Sequence, residues 1–337
     1  MAAMTMAMAL LGGVIGAGFA SGREILRFFA GHGRMAPVAI LGALMLLLAL
    51  FLRLPAQMQH YGASTLMQLC RIKLGPRFGL FCGALFMLLC AVTGAAMLAA
   101  MAELGALMLP IRHAYALSMG VSLVLSLLLT LCGLSGLALP GALLAVLLTL
   151  LLLRLLGLPA GEACFLPAMT PDLPVRALAD GAAYGALSSA QLAGMLALLG
   201  ATPRKTRWQA TALFTLLFGG MLALGTTVCR RHMPAIVHQM LPFVYLSRSL
   251  GSGGQMLVAL CMYAAALSTL CAMLRALMPP GGGLRHALLA ACCCLLVSLL
   301  GFDTLVAHGY PLLGALCAGL LLTLCLPVCQ KASISEM

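Results

Sequence analysis

Residues 11–30 read Leu-Gly-Gly-Val-Ile-Gly-Ala-Gly-Phe-Ala-Ser-Gly-Arg-Glu-Ile-Leu-Arg-Phe-Phe-Ala. The stretch is apolar enough to enter a bilayer, yet it carries Gly12, Gly13, Gly16, Gly18 and Gly22 and sets Ser21, Arg23 and Glu24 beside them. Glycine costs a helix interior roughly 1 kcal/mol relative to alanine, so the clustering predicts a helix that unwinds here. Unwound backbone at membrane depth is tolerated only when it is buried in protein or lines a polar cavity. An interrupted membrane helix with ionisable neighbours is the pattern expected around a solute site.

The rest of the chain calls for a membrane. Its 337 residues are 63% hydrophobic and 8% charged, with a mean hydropathy of +1.13, more apolar surface than a soluble domain can hide. A span takes about 20 apolar residues. Ten spans are expected, at approximately 4–29, 36–54, 78–105, 113–134, 137–157, 178–200, 208–229, 253–276, 284–300 and 304–329. The first apolar segment has no basic start or cleavage region and reads as the first membrane helix rather than a signal peptide. Segments 55–77 and 230–250 read as interfacial linkers, the latter, with Pro234 and Pro242, as short helices lying over the protein.

The formal charge of +12 is no sign of nucleic-acid binding, because basic residues flanking apolar spans face the cytoplasm and anionic lipid. Two dense clusters, Arg71/Lys73/Arg77 and Arg204/Lys205/Arg207, fall on one side, which places the amino terminus in the cytoplasm of a cell-membrane protein. The fourteen cysteines sit singly in apolar runs or, as Cys292–Cys294, in a row. None has zinc-ligand spacing in polar surroundings, so they read as small hydrophobes.

Ten spans divide into two halves of five, residues 1–157 and 178–337, joined by an outer loop at 158–177. An odd number of spans inverts the second half relative to the first. Span six should then be interrupted as span one is. Its sequence Gly181-Ala-Ala-Tyr-Gly-Ala-Leu-Ser-Ser-Ala-Gln191 puts small and hydroxyl residues in mid-membrane behind Asp180, and paired interruptions are the best sequence pointer to a transport site.

The string from Gly12 to Phe29 resembles the opening helix of YkvI-type bacterial membrane proteins of the amino acid–polyamine–organocation superfamily. It departs from that pattern at Arg23, where the family carries glutamine. The resemblance implies an all-α LeuT-like fold, a 5+5 inverted repeat with helices one and six broken around a central substrate. In sodium-coupled members a cation lies between helix-one carbonyls and helix-eight hydroxyls. The matching set here is Gly12, Ile15, Ala265, Ser268 and Thr269, a candidate Na⁺ site of hard oxygen donors.

Substrate-site candidates are Gly16, Ala17, Gly18, Phe19, Ser21, Gly22, Glu24, Thr93, Tyr184, Ser188, Ser189 and Gln191, with Tyr263 and Tyr310 as additions. Several also have structural readings. The glycines serve helix packing, Ser268 and Thr269 bond one turn back on their own helix, and Glu24 pairs with Arg23, Arg27 or another helix. As a functional group Glu24 is a proton acceptor or cation-binding carboxylate, with Arg23 lowering its proton affinity. Freed amides at the start of the outer half-helix favour an anionic group. Asp303 and His308 read as solvated or capping, Trp208 as an interfacial anchor.

The function these features imply is a cation-coupled secondary transporter, not an enzyme. It would move a small polar solute such as an amino acid, amine or carboxylate by alternating access, with Na⁺ or H⁺ as coupling ion and no other cofactor. The alternative is a non-transporting receptor on the same fold. Partners are a small-molecule substrate and the lipid bilayer, without nucleic acid; oligomeric state is not legible.

Overall fold

The computed structural model describes residues 2–132, 138–159, 173–278 and 282–326. Among them every regular element is helical. Most of the expected 158–177 loop, together with Glu162, Asp172 and Lys331, lies outside the described residues. The first half comprises α1 (Ala2–Val14), α2 (Ala17–Ser21), α3 (Arg23–Phe28), a 3₁₀ turn at Ala30–Met35, α4 (Ala36–His60), α5 (Leu66–Leu74), α6 (Pro76–Met108), α7 (Ala114–Leu131) and α8 (Ala138–Leu156). Then come α9 (Pro174–Gln191), α10 (Ala193–Gly200), α11 (Arg204–Arg231), α12 (Met233–Ile236), α13 (Pro242–Leu246) and α14 (Gly251–Leu277). The chain closes with α15 (Leu284–Ser298), α16 (Phe302–Thr304), a π turn at Leu305–Gly309 and α17 (Tyr310–Cys325).

Among the described residues, six stretches are long and apolar enough to cross a bilayer: Ala30–His60, Pro76–Met108, Ala114–Leu131, Arg204–Arg231, Pro242–Leu277 and Phe302–Cys325. Ala2–Val14, Leu143–Leu156 and Leu284–Ser298 are shorter apolar helices. Their outer faces expose Leu80, Leu143, Leu216, Leu289 and Leu296, side chains that are stable outside only against lipid. The protein is membrane-embedded and all-α.

Helix α4 runs through Pro55 to His60, beyond the expected end at 54. Proline removes one backbone donor without forcing a helix to stop. The 230–250 linker forms the short helices expected of it, α12 and α13, and the 55–77 linker also carries a short helix, α5. Thr65 starts α5 by accepting the Gln68 amide at 3.1 Å, an N-cap.

The packing partners follow a pattern. Helix α1 lies against α8 and α11, while α9 lies against α17 and α4. Helix α6 contacts α7 and α15, and α14 contacts α15 and α7. The pairs α6–α14 and α4–α11 complete the core.

The α4–α9 seam corrects one expectation. Helix α9 is continuous from Pro174 to Gln191, so Gly181 and Gly185 do not interrupt it. They let α4 approach: a Cβ on Gly181 would overlap the Ala39 carbonyl, and one on Gly185 would come within 2.7 Å of the Ala43 oxygen. Gly42 answers from the other side, 2.7 Å by the same measure from the Leu178 oxygen. This is the small-residue packing of membrane helices. The interruption of this span comes later, at Leu192.

Lys73, on interfacial α5, caps the far end of α17. Its Nζ donates to the Leu324 and Leu326 carbonyls at 2.6 and 2.8 Å and to Gln57 Oε1 at 3.4 Å, and lies over the Tyr61 ring. These carbonyls have no helical donor among the described residues, and a cation complements the helix C-terminus. Burial lowers the Lys73 pKa below 10.5. Between that lowered value and 10.5 the unfolded chain binds more protons, so this group makes stability rise with pH in that window and adds no slope below it. Lys73→Met keeps the apolar stem but removes the donors. It should lower stability by about 1–3 kcal/mol, read as earlier melting of the detergent-solubilised protein; an unchanged melt would show the cap to be idle.

Candidate functional site

Helix one breaks between Val14 and Ala17. The Gly16 amide donates to the Val14 carbonyl at 3.0 Å instead of to Gly12. The Ala17 amide donates to Met97 Sδ on α6 at 3.2 Å instead of to Gly13. Two carbonyls thus lose their helical donors at the depth where sequence predicts unwinding. Gly16 itself is extended, with φ −101° and ψ −175°.

A second break follows at Gly22, whose φ of +85° is left-handed and favours glycine. Ser21 stabilises the turn, donating to the Gly18 carbonyl at 3.0 Å and accepting the Arg23 amide at 3.3 Å. The Phe243 ring of α13 packs on Gly22, where a Cβ would come within 2.9 Å. The outer half-helix is therefore split in two. With the Ala17 amide taken by Met97, it offers an anionic solute less than the sequence reading implied.

The interruption after α9 meets the first one. At Leu192 the backbone leaves helical geometry, with φ −89° and ψ 17°. Its side chain lies against Gly13, where a Cβ would come within 2.6 Å of Leu192 Cδ2.

Beside these breaks lies a buried polar cluster. Glu24 folds back over Gly18 so closely that a Cβ there would overlap the carboxylate. It is 6% exposed and accepts from the Tyr184 hydroxyl at 3.2 Å. Phe28 and Phe29 flank Tyr184 at ring distances of 5.3 and 5.0 Å, and Phe19 packs on Phe218. Gln191 donates to Thr93 Oγ1 at 3.3 Å. Tyr310 of α17 is wholly buried, with its hydroxyl near Thr93 and within electrostatic reach of Glu24. That hydroxyl has no well-formed hydrogen bond among the described residues.

Arg23 does not pair with Glu24. Adjacent helical residues point in different directions, and Arg23 turns to Asp303 on α16. Its Nε donates to Oδ1 at 2.8 Å and Nη2 closes on the same oxygen. Its Nη1 donates to the Val237 and Gln239 carbonyls at 3.2 and 3.3 Å. Asp303 is thus an ion-pair partner, not a merely solvated group.

Ser188 and Ser189 donate to the Tyr184 and Gly185 carbonyls at 2.9 and 2.8 Å, one turn back on their own helix. Tyr263 bonds Ser122 of α7 at 3.0 Å. Trp208 is 49% exposed near the start of α11, as an interfacial residue should be.

The candidate cation ligands assemble in part. Thr269 Oγ1 lies 3.5 Å from where a Cβ on Gly16 would stand, so α14 faces the helix-one break. Ser268 and Thr269 both donate to the Ala265 carbonyl at 3.0 Å. Giving up those protons leaves the hydroxyl lone pairs free to accept, which suits a hard cation. The Ala265 carbonyl is already engaged twice and is the weakest of the five donors. Ile15 is buried, its amide bonded to Leu11 at 3.2 Å.

Sequence reasoning missed Met97, His32 and the role of Asp303. A methionine inside an apolar helix carries no signal of its own. His32 meets Asp180, Nε2 to Oδ2 at 3.1 Å, a pair 148 residues apart by the numbering (180 − 32). No protein-family model and no curated protein matches the chain.

Proposed function

We propose that the chain is a cation-coupled secondary transporter of a small polar solute, working by alternating access on a ten-span LeuT-like fold of the YkvI type. The observation that carries this reading is the meeting of two interrupted spans, Leu192 on Gly13, beside the buried Glu24–Tyr184 pair. Freed backbone at a repeat interface in mid-membrane is where transporters hold solute and coupling ion.

The packing pattern supports an inverted repeat. Let residues 1–157 exchange with 178–337, so that α1–α3 becomes α9–α10, α4 becomes α11, α6 becomes α14, α7 becomes α15 and α8 becomes α17. The pair α1–α8 then becomes α9–α17, and α1–α11 becomes α9–α4. Likewise α6–α7 becomes α14–α15, α6–α15 becomes α14–α7, and α2–α14 becomes α9–α6. The pairs α6–α14 and α4–α11 map onto themselves. Each pair named here has its exchanged counterpart among the observed contacts.

Within this reading Glu24 sets the solute chemistry. Arg23 is engaged elsewhere, so the carboxylate is matched by a proton or by an ammonium group of the solute. The amine-bearing end of the expected solute range is favoured. Arg23, tied to Asp303 and to the Val237–Gln239 backbone, closes one end of the path. Solute entering from that end parts these three segments.

Na⁺ would be held by the Gly12 and Ile15 carbonyls with the Ser268 and Thr269 hydroxyls. A ligand that binds only the folded state stabilises it by about 2.7 kcal/mol at 100 times its dissociation constant. The purified protein should therefore melt later in sodium chloride than in choline chloride of equal strength. The difference should vanish in Thr269→Val and shrink in Ser268→Ala. Equal melting of the parent protein in both salts counts against Na⁺ and leaves H⁺ as the coupling ion.

A further inference from the structure

At the end of the bundle where α3 stops and α9 starts, a cavity of about 260 Å³ is lined by Arg23, Arg27, Arg176, Leu26, Val237 and Ala307. Its three guanidinium groups are not equivalent. Arg23 is fully engaged with Asp303 and two carbonyls. Half-buried Arg27 makes one long contact, Nε to the Ala307 carbonyl at 3.5 Å, and its terminal nitrogens make no hydrogen bond or ion pair among the described residues. Arg176, exposed in the first turn of α9, makes none either.

Among the described residues, the two acids near this cavity, Asp303 and Asp180, are already engaged. Asp303 holds Arg23, and Asp180 faces His32 at 3.1 Å, with Arg27 and Arg176 acting on it only from a distance. A cavity walled by three cations, two of them without a directly bonded carboxylate among the described residues, carries a positive potential that low-dielectric walls concentrate. Guanidinium forks match the two-oxygen geometry of carboxylate and phosphate. At about 30 Å³ per water, the cavity has room for a small oxyanion and some water.

We propose that this cavity binds a small oxyanion, a carboxylate or a phosphate, between Arg27 and Arg176. The anion comes either from a free solute in the aqueous phase or from a lipid headgroup at the membrane surface. Glu24, Ser268 and Thr269 are not among the residues lining this cavity, and melting of the purified protein reads anion binding without any transport step.

The test follows the melting temperature of the detergent-solubilised full chain against sodium acetate, inorganic phosphate and micelles doped with phosphatidylglycerol. Ionic strength and sodium are held constant with sodium chloride. The parent protein and the double variant Arg27→Gln/Arg176→Gln are compared, with Arg176→Gln alone as a surface change that preserves folding. The expected result is saturable stabilisation of the parent protein, with the apparent dissociation constant raised about tenfold or more in the double variant and less in the single one. Saturation by acetate or phosphate identifies a free solute as the source; saturation by phosphatidylglycerol alone identifies lipid. Absence of saturable stabilisation by any probe, or equal stabilisation of parent and variants, overturns the proposal.

Discussion

Glu24→Gln is expected to lower uptake of the transported solute by about 10- to 100-fold while leaving the protein folded. The size follows from the strength of a hydrogen bond to a charged group, about 1.5–3 kcal/mol. Glu24 is buried against Gly18 with the Tyr184 hydroxyl as its hydrogen-bond donor, so it is free to carry a proton or to hold an ammonium group. Glutamine fills the same space, still accepts from Tyr184 and does neither. Melting of the variant should be unchanged or slightly later, because a buried charge is removed without stranding a partner. If Glu24 carries the coupling proton, parent uptake depends on an imposed pH gradient and residual variant uptake does not. Tyr184→Phe removes only the hydroxyl and should cost a few-fold. Full uptake by Glu24→Gln would make Glu24 a packing residue and remove the site's chemical centre.

The second large effect concerns assembly. Gly181→Leu should prevent the bundle from forming, and Gly181→Ala should already cost about 3 kcal/mol or more, the upper end for overpacking. The reason is where the added carbon lands. Backbone on α4, the Ala39 carbonyl, occupies the position, and backbone cannot step aside as a side-chain tip can. Relief requires α4 and α9 to separate along a seam where Gly42 and Gly185 also stand within 2.7 Å of backbone oxygen by the same measure. Gly120→Ala and Gly220→Ala serve as controls, because a Cβ at either position meets nothing within 4 Å; both should fold as the parent does, since alanine is the better helix former. Size-exclusion profiles and melting of the solubilised variants give the comparison. A normal profile for Gly181→Leu would contradict the described seam.

Much of this arrangement was legible in sequence because glycine speaks directly about backbone. Five glycines between 12 and 22 marked the helix-one break, and the break falls among them. The same residue type misled in span six, since glycine serves close packing as readily as unwinding. Gly181 and Gly185 do the former, while the interruption sits at Leu192, a residue with no local preference for it. Proline was read too strictly at Pro55, where α4 continues. Thr93, Tyr184 and Gln191 could be named because polar groups in apolar spans need partners. Ser188 and Ser189 satisfy themselves on their own helix, an outcome that sequence does not distinguish from site-lining. The partners of Arg23 and Lys73 were beyond reach: Asp303 is 280 residues away and the Leu324 carbonyl 251, and only the folded bundle brings them together.

The central claim is coupled movement of a solute through the paired breaks, and reconstituted flux tests it most directly. Purified protein in liposomes is offered labelled amino acids, amines and carboxylates under an inward Na⁺ gradient, an inward H⁺ gradient or neither. The account predicts that one solute, bearing an amino group, accumulates above its external concentration under one of the two gradients. That accumulation should collapse with an ionophore for that ion and be lost in Glu24→Gln. A solute that stabilises the purified protein yet crosses under neither gradient would contradict the account and make the protein a receptor on the same fold.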